Sequence, residues 1–275
     1  LWDTWVDTNA NELNLAQHSD YVAVCDSVSN YLRYRLLFDL FRAPRSGVLF
    51  IGGFMVTSDM FEERPQPKIY DAAVLGSAEG VRASLIEYLQ ANLPGHIRFS
   101  KLGGLVNSSV GSHELGLTDG WIPQDKYVDA INQTKVLISS QTRPERVQIK
   151  SKVFEFMSCG GFCLIDRNSE HERLVPEGCV AYFDSPEDLA RKVVYYVEND
   201  SEREAIAKRG QMWFRMTFDH RPFWQTFFDY VAANAQRLPC LSALEVEYNT
   251  RIASQAIKSQ IRTSVMQVLL NIVRE

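Results

Sequence analysis

No run of about 18 or more apolar residues occurs in this chain, so no segment reads as a membrane-spanning helix. Cysteine is scarce: Cys25, Cys159, Cys163, Cys179 and Cys240 are scattered, odd in number and set in apolar surroundings. That pattern excludes a disulfide framework and a zinc module, and it predicts reduced thiols and a cytoplasmic setting, with peripheral membrane contact left open. Asp-x-Asp is absent, and the five histidines do not cluster, so the usual ways of holding a divalent ion are missing. A formal net charge of -5 excludes a generally basic nucleic-acid binder. There is no internal repeat. The chain opens on Leu1-Trp2-Asp3 with no leader-like pattern, which predicts a preceding segment.

What is present is an ordinary globular composition, 45% hydrophobic and 11% aromatic over 275 residues, enough for a substantial core. Apolar runs at 21–25, 47–52, 70–75, 135–139, 161–165 and 179–183 predict strands. Helical periodicity at 28–41, 79–92, 124–133, 152–159 and 186–198 fills the gaps. The alternation predicts an α/β fold with a mostly parallel sheet covered on both faces. Ser185-Pro186-Glu187-Asp188 carries an N-cap, a proline at the first helical position and an acid at the third; Ser201 to Glu204 fits a capping box. Prolines and charges in Glu62 to Lys68 predict a linker, which divides the chain into 1–61, 62–236 and a helical tail, 237–275. The tail's apolar stripe, with Ile257, Ile261, Val265 and Val268, needs a partner surface.

Residues 150–166 read KSKVFEFMSCGGFCLID: a short helix that starts among lysines, carries Glu155, and breaks at Gly160-Gly161 into an apolar strand. Unpaired N–H groups at a helix start disfavour a nearby cation such as Lys152 unless an anion sits beside it, and phosphate is the obvious anion. With Ser151 as the cap, Glu155 falls one position beyond the capping-box slot, so it is free to accept from sugar hydroxyls. Phosphate at Lys152 and a hydroxyl-bearing sugar at Glu155 describe a nucleotide site. The spacing i, i+3 equally fits a plain surface ion pair on a core helix.

The same stretch resembles the C-terminal, donor-binding half of GT-B glycosyltransferases, especially the group 1 and spore-maturation-like members. The resemblance rests on Lys152, Phe154, Glu155, Phe156, Cys159, Gly160, Ile165, Asp166 and the loop Asn168-Ser169-Glu170-His171-Glu172. It continues through residues 183–210 and includes YDAAVLGS at 70–77. It implies a Rossmann-like parallel sheet of GT-B type in 62–236, with 1–61 as the incomplete end of an acceptor-side domain whose remainder is missing. It also implies transfer of a sugar from a UDP- or GDP-linked donor to a glycan acceptor, without cofactor or metal. Glu155 would hold the ribose, and Lys150, Lys152 and Arg82 the diphosphate. Glu170 and Glu172, with His171, would lie near the transferred sugar as catalytic candidates. Retaining members carry a second glutamate eight positions before the first; here Val147 stands there, with Glu145 nearby, so retention and inversion both stay open. A non-catalytic interaction module keeping the same fold is the alternative.

Other residues join the site by position. Gly76 and Ser77 should sit where a strand ends, at the edge where open α/β sheets bind ligands, with Arg82 on the second turn of the next helix. The long loop 103–123 ends in Trp121, Ile122 and Pro123, a wall for a nucleobase or a piece of core. His113 and His171 are expected in solvent-facing loops. Asp3 and Asp7 flank two tryptophans near the start, where an inverting enzyme would keep its base.

Overall fold

The computed structural model describes residues 55–103, 122–142 and 147–234, together with three short strands nearer the start. Trp121, His113, Glu145, Asp7, Cys25, Cys240, the helix expected at 28–41 and the tail 237–275 lie outside the described residues. The chain divides into two compact units, residues 1–54 with 229–275, and residues 55–228. In the first unit, β1 (Trp2–Asp3), β2 (Tyr21–Val24) and β3 (Gly47–Phe50) form a parallel sheet in that order.

The second unit is built on five parallel strands: β4 (Tyr70–Leu75), β5 (Phe99–Leu102), β6 (Thr134–Ser139), β7 (Phe162–Asp166) and β8 (Ala181–Phe183). Their spatial order is β5-β4-β6-β7-β8. Seven helices are present among the described residues: α1 (Val81–Asn92), α2 (Gln124–Asn132), α3 (Ser151–Ser158), α4 (Ser169–Leu174), α5 (Pro186–Glu198), α6 (Asp200–Thr217) and α7 (His220–Asn234). The expected parallel α/β architecture is therefore the observed one.

Alternation along the strands explains the layering. Ala72 and Val74 of β4, Val136 and Ile138 of β6, and Phe162 and Leu164 of β7 form one core with Ile86 and Leu89 of α1 and Leu189 and Val193 of α5. Ala73, Leu75, Leu137, Cys163 and Ile165 point the other way and are also buried, as a sheet covered on both faces requires. On that second side α3 is fixed by Phe154 and Phe156, neither of which has any exposed surface. Phe154 packs on Phe218 at 4.9 Å between ring centroids and on Trp213 at 6.2 Å. Removing such an aromatic side chain costs about 3 to 5 kcal/mol, so the start of α3 rests on a stiff base.

Several local expectations change. The segment Glu62 to Lys68 is tied down rather than free: Arg64 N–H donates to Asn132 Oδ1 at 2.8 Å, and Arg64 and Gln66 both reach Asp129. β5 and the helices α4 and α7 are additions to the sequence reading. Ser185 caps α5 as expected, its hydroxyl accepting from Asp188 N–H at 3.1 Å. Ser201 does not cap α6, because Asn199 holds the cap position and the helix already runs from Asp200. Among the described residues no helix is long and apolar enough to cross a membrane.

Candidate functional site

Because β5 lies on one side of β4 and β6 on the other, the chain reverses direction across the sheet at β4. The carboxyl ends of β4 and β6 thus flank the crevice where doubly wound sheets bind ligands. Lys152 reaches this point from the first turn of α3, its ammonium donating to the Leu75 carbonyl at 2.6 Å. Gly76 makes the approach possible. It sits at φ +95°, and a Cβ there would lie 2.0 Å from Lys152 Nζ, so both its conformation and its missing side chain are required.

Lys150, not Ser151, is the cap residue of α3, with extended backbone and no side-chain cap bond. Ser151 moves into the helix, where its hydroxyl bonds the Glu155 carboxylate, and Glu155 falls still farther from the capping slot. No acid occupies the first turn of α3. The helix start is therefore electropositive twice over, by its N–H groups and by its lysines. Burial first, then the like charges of Arg82, Lys150 and Lys101, push the Lys152 ammonium down to about 8, while Glu155 opposes the shift. The shift marks Lys152 as a buried cation among other cations, with Glu155 the opposing charge on the same helix.

Glu155 has a partner that sequence reasoning missed. The Tyr127 hydroxyl of α2 donates to Glu155 Oε2 at 2.7 Å. Burial raises the Glu155 carboxyl above its ordinary range, and the Tyr127 bond, Lys152 and Ser151 hold it back. Burial, and then the Glu155 charge, raise the Tyr127 phenol, so it stays a donor.

Arg82 lies on the first turn of α1 rather than the second, because Gly80, at φ +54°, delays the helix start to Val81. A Cβ on Gly80 would meet the Thr142 carbonyl at 2.1 Å, and that carbonyl accepts from Val81 N–H. Arg82 is 5% exposed. Its Nη1 donates to the Ser77 carbonyl at 3.1 Å and its Nη2 to the Ser140 carbonyl at 2.6 Å; Nε is buried without a partner. Asp166, where β7 ends, accepts from Gln141 N–H through Oδ2 at 2.8 Å, and its Oδ1 is also buried and unpartnered. Burial pushes the Asp166 carboxyl up to about 6, against the pull of the Gln141 amide, Lys150 and Arg82.

The Asn168 to Glu172 stretch is a helix start, not a loop. Asn168 Oδ1 caps α4 by accepting from His171 N–H at 2.9 Å. His171 is entirely buried, contrary to the solvent-facing position expected, and burial pushes it down to about 4. With Asn168 Oδ1 engaged, its Nδ2 faces His171 Nδ1 at 2.7 Å. Nε2 of the ring is buried without a partner. Glu170 pairs with Arg173 at 3.0 Å, and Glu172 with Arg167 at 2.6 Å. Ile122 is buried and Pro123 is the cap of α2. Lys150 Nζ donates to Gln148 Oε1 at 2.6 Å, and Lys101, on the unforeseen strand β5, is buried. The structure thus gathers Gly76, Arg82, Lys150, Lys152 and Glu155 at one edge, with Ser77 contributing its carbonyl. Cys159, Cys163 and Cys179 are free, buried thiols, and among the described residues no group of three or more His, Cys, Asp or Glu side chains is placed to hold a metal ion.

The sequence profile of the glycosyl transferase-like family matches residues 82–229, more than half of the chain and the whole of this edge from Arg82 onward. The chain belongs to the glycosyl transferase-like family. Membership places it in an enzyme class, the glycosyltransferases. Solved GT-B structures share the fold of this glycosyl transferase-like chain. Anabaena Alr3699/HepE in complex with UDP-glucose superposes with a TM-score of 0.59 at 16% identity, covering 83% of this chain and 68% of HepE. Sucrose-phosphate synthase from Thermosynechococcus elongatus gives 0.53 at 14% identity, covering 81% of this chain and 61% of the synthase. A glycosyltransferase from Rickettsia africae ESF-5 gives 0.51 at 12%, covering 82% of this chain and 68% of its own. No curated protein sequence matches. The Rossmann-like sheet of GT-B type expected from sequence is the fold observed.

Proposed function

We propose that this protein transfers a sugar from a nucleoside-diphosphate donor, UDP- or GDP-linked, to a glycan acceptor, in the cytoplasm and without a metal ion. The observation that carries the proposal is the pairing of Lys152 and Glu155, one turn apart at the start of α3, beside the Leu75-Gly76 edge. The diphosphate lies at the α3 N-terminus, where Lys152 and Lys150 with the helix N–H groups stabilise the charge that grows as the glycosidic bond breaks. Glu155 accepts from the ribose hydroxyls. Arg82 acts from below, through its charge, since two of its nitrogens serve backbone carbonyls and its Nε is buried. The transferred sugar lies over the β7–α4 turn, within reach of Glu170 and Glu172, while His171 supports that turn from the interior. HepE, a protein of the same fold bound to UDP-glucose, supports a sugar nucleotide as donor.

Calorimetric titration with UDP and GDP tests the site. Lys152→Ala removes one charge-assisted phosphate contact, so affinity should fall roughly tenfold or more. Equal binding by wild type and variant rejects the assignment. Val147, at the place of the family's second glutamate, motivates the rival reading of a non-catalytic module. Donor binding with no release of nucleotide from any sugar nucleotide would select it.

A further inference from the structure

We propose that Tyr127 is a specificity-determining residue of this site: by fixing one oxygen of Glu155, its hydroxyl aims the other at the vicinal diol of a ribose. The inference rests on the nucleotide reading above and names the group that makes it selective. Tyr127 and Glu155 are 28 residues apart and sit on different helices, α2 and α3, so their 2.7 Å bond is a tertiary contact and not a product of helical spacing. The ring is itself placed: Phe61 packs edge-on against it, with centroids 6.3 Å apart and planes at 85°. Phe61 is anchored in turn, its carbonyl accepting from the Ser158 hydroxyl of α3 at 2.7 Å. The phenol therefore comes to Glu155 from a framework that α3 shares.

A carboxylate whose terminal torsion is free accepts from whatever donor arrives; one held through Oε2 presents Oε1 in a fixed direction. Ser151 adds a second hydroxyl bond from the first turn of the same helix. Glu155 lies in partly buried surroundings, so a ligand that covers it without supplying hydroxyl donors leaves an acceptor unpaired. Sites of this kind reject analogues that lack the hydroxyl more strongly than apolar pockets reject a missing methylene. Tyr127 thus touches no substrate in this arrangement; it sets how sharply Glu155 separates ribose from its deoxygenated counterparts.

The test compares UDP and GDP with their 2′,3′-dideoxy counterparts by calorimetry, on wild type and Tyr127→Phe. Wild type should prefer the ribonucleotide by about tenfold or more, the worth of hydrogen bonds to a charged group. Tyr127→Phe should shrink that preference severalfold and leave dideoxynucleotide affinity unchanged, whereas a merely structural role weakens both together and keeps their ratio. Phe61→Leu removes the brace but keeps the hydroxyl, and should move the ratio the same way by less. Unchanged ratios in both variants overturn the proposal, as does a wild type that binds both sugars equally, which would leave the diphosphate reading standing. A wild type that binds no nucleotide overturns both.

Discussion

Arg82 and Asp166 hold opposite ends of a single peptide group. Arg82 Nη2 donates to the Ser140 carbonyl and Asp166 Oδ2 accepts from the Gln141 N–H, so the Ser140–Gln141 peptide where β6 runs out is gripped between a cation and an anion. Burial weakens the ionised form of each, lowering Arg82 and raising Asp166, and each is held back by the other's charge. The grip sets the direction in which the chain leaves β6 toward Lys150 and Lys152.

The two side chains should therefore be thermodynamically coupled, although no direct bond joins them. Arg82→Met removes the donors that Arg82 gives the Ser77 and Ser140 carbonyls and leaves Asp166 with Lys150 as its nearby cation, and should cost about 2 to 4 kcal/mol of stability. Urea denaturation of Arg82→Met, Asp166→Asn and the double variant closes a cycle. We expect a coupling of about 1 kcal/mol or more, and simple additivity would show that the peptide does not transmit it.

Nucleotide binding should be linked to protons through Lys152. Burial, and then the charge of Arg82, push its ammonium down to about 8, and a bound diphosphate favours the charged form. Binding near pH 8 should then take up protons, and affinity should fall as pH rises above about 8. Titrations in buffers of different ionisation enthalpy measure the uptake, which should vanish in Lys152→Ala; uptake that persists would assign the proton elsewhere.

Gly76→Ala should act through Lys152 rather than through the sheet. The new methyl group occupies the ammonium's position at a backbone conformation unfavourable to alanine, with an expected cost of about 1 to 3 kcal/mol in stability. Nucleotide affinity should drop as well. In a Lys152→Ala background the same change should bring little further loss of affinity, and an undiminished loss would mean that Gly76 meets the ligand itself.

Chelation should leave donor affinity unchanged, because the cations gathered around Lys152 do the neutralising that a divalent ion does elsewhere. Calorimetry in EDTA, with manganese or magnesium added back, checks this. Affinity lost in EDTA and restored by either ion would reveal a metal site.

Much of the candidate site's local structure was readable because its signals are local. Gly160-Gly161 ends a helix, Ser185-Pro186 starts one, and Lys152 and Glu155 stand out because a helix start makes a lysine anomalous. What stayed hidden depends on distance along the chain. Tyr127 is 28 residues from Glu155, and Arg82 is 58 from Ser140, so neither engagement leaves a mark on its own neighbourhood. β5 has only four residues after the Leu93-Pro94-Gly95 turn, too few to show a period, and Lys101 went unnoticed with it. The α4 helix is a single polar turn and a half whose cap, Asn168, could have been read from Glu170 and Glu172 behind it. His171 then follows, since the residue that an N-cap bonds three positions on is turned inward here.

The side-chain amide of Gln141 accepts from Gln148 N–H at 3.0 Å and donates to the Gln148 carbonyl at 2.7 Å, doing the work of one rung of a sheet with a single residue. The two ends of the clasp stay fastened to each other, so the backbone position of Gln148, and through it the start of α3 with Lys150 and Lys152, is set by Gln141 just past the end of β6.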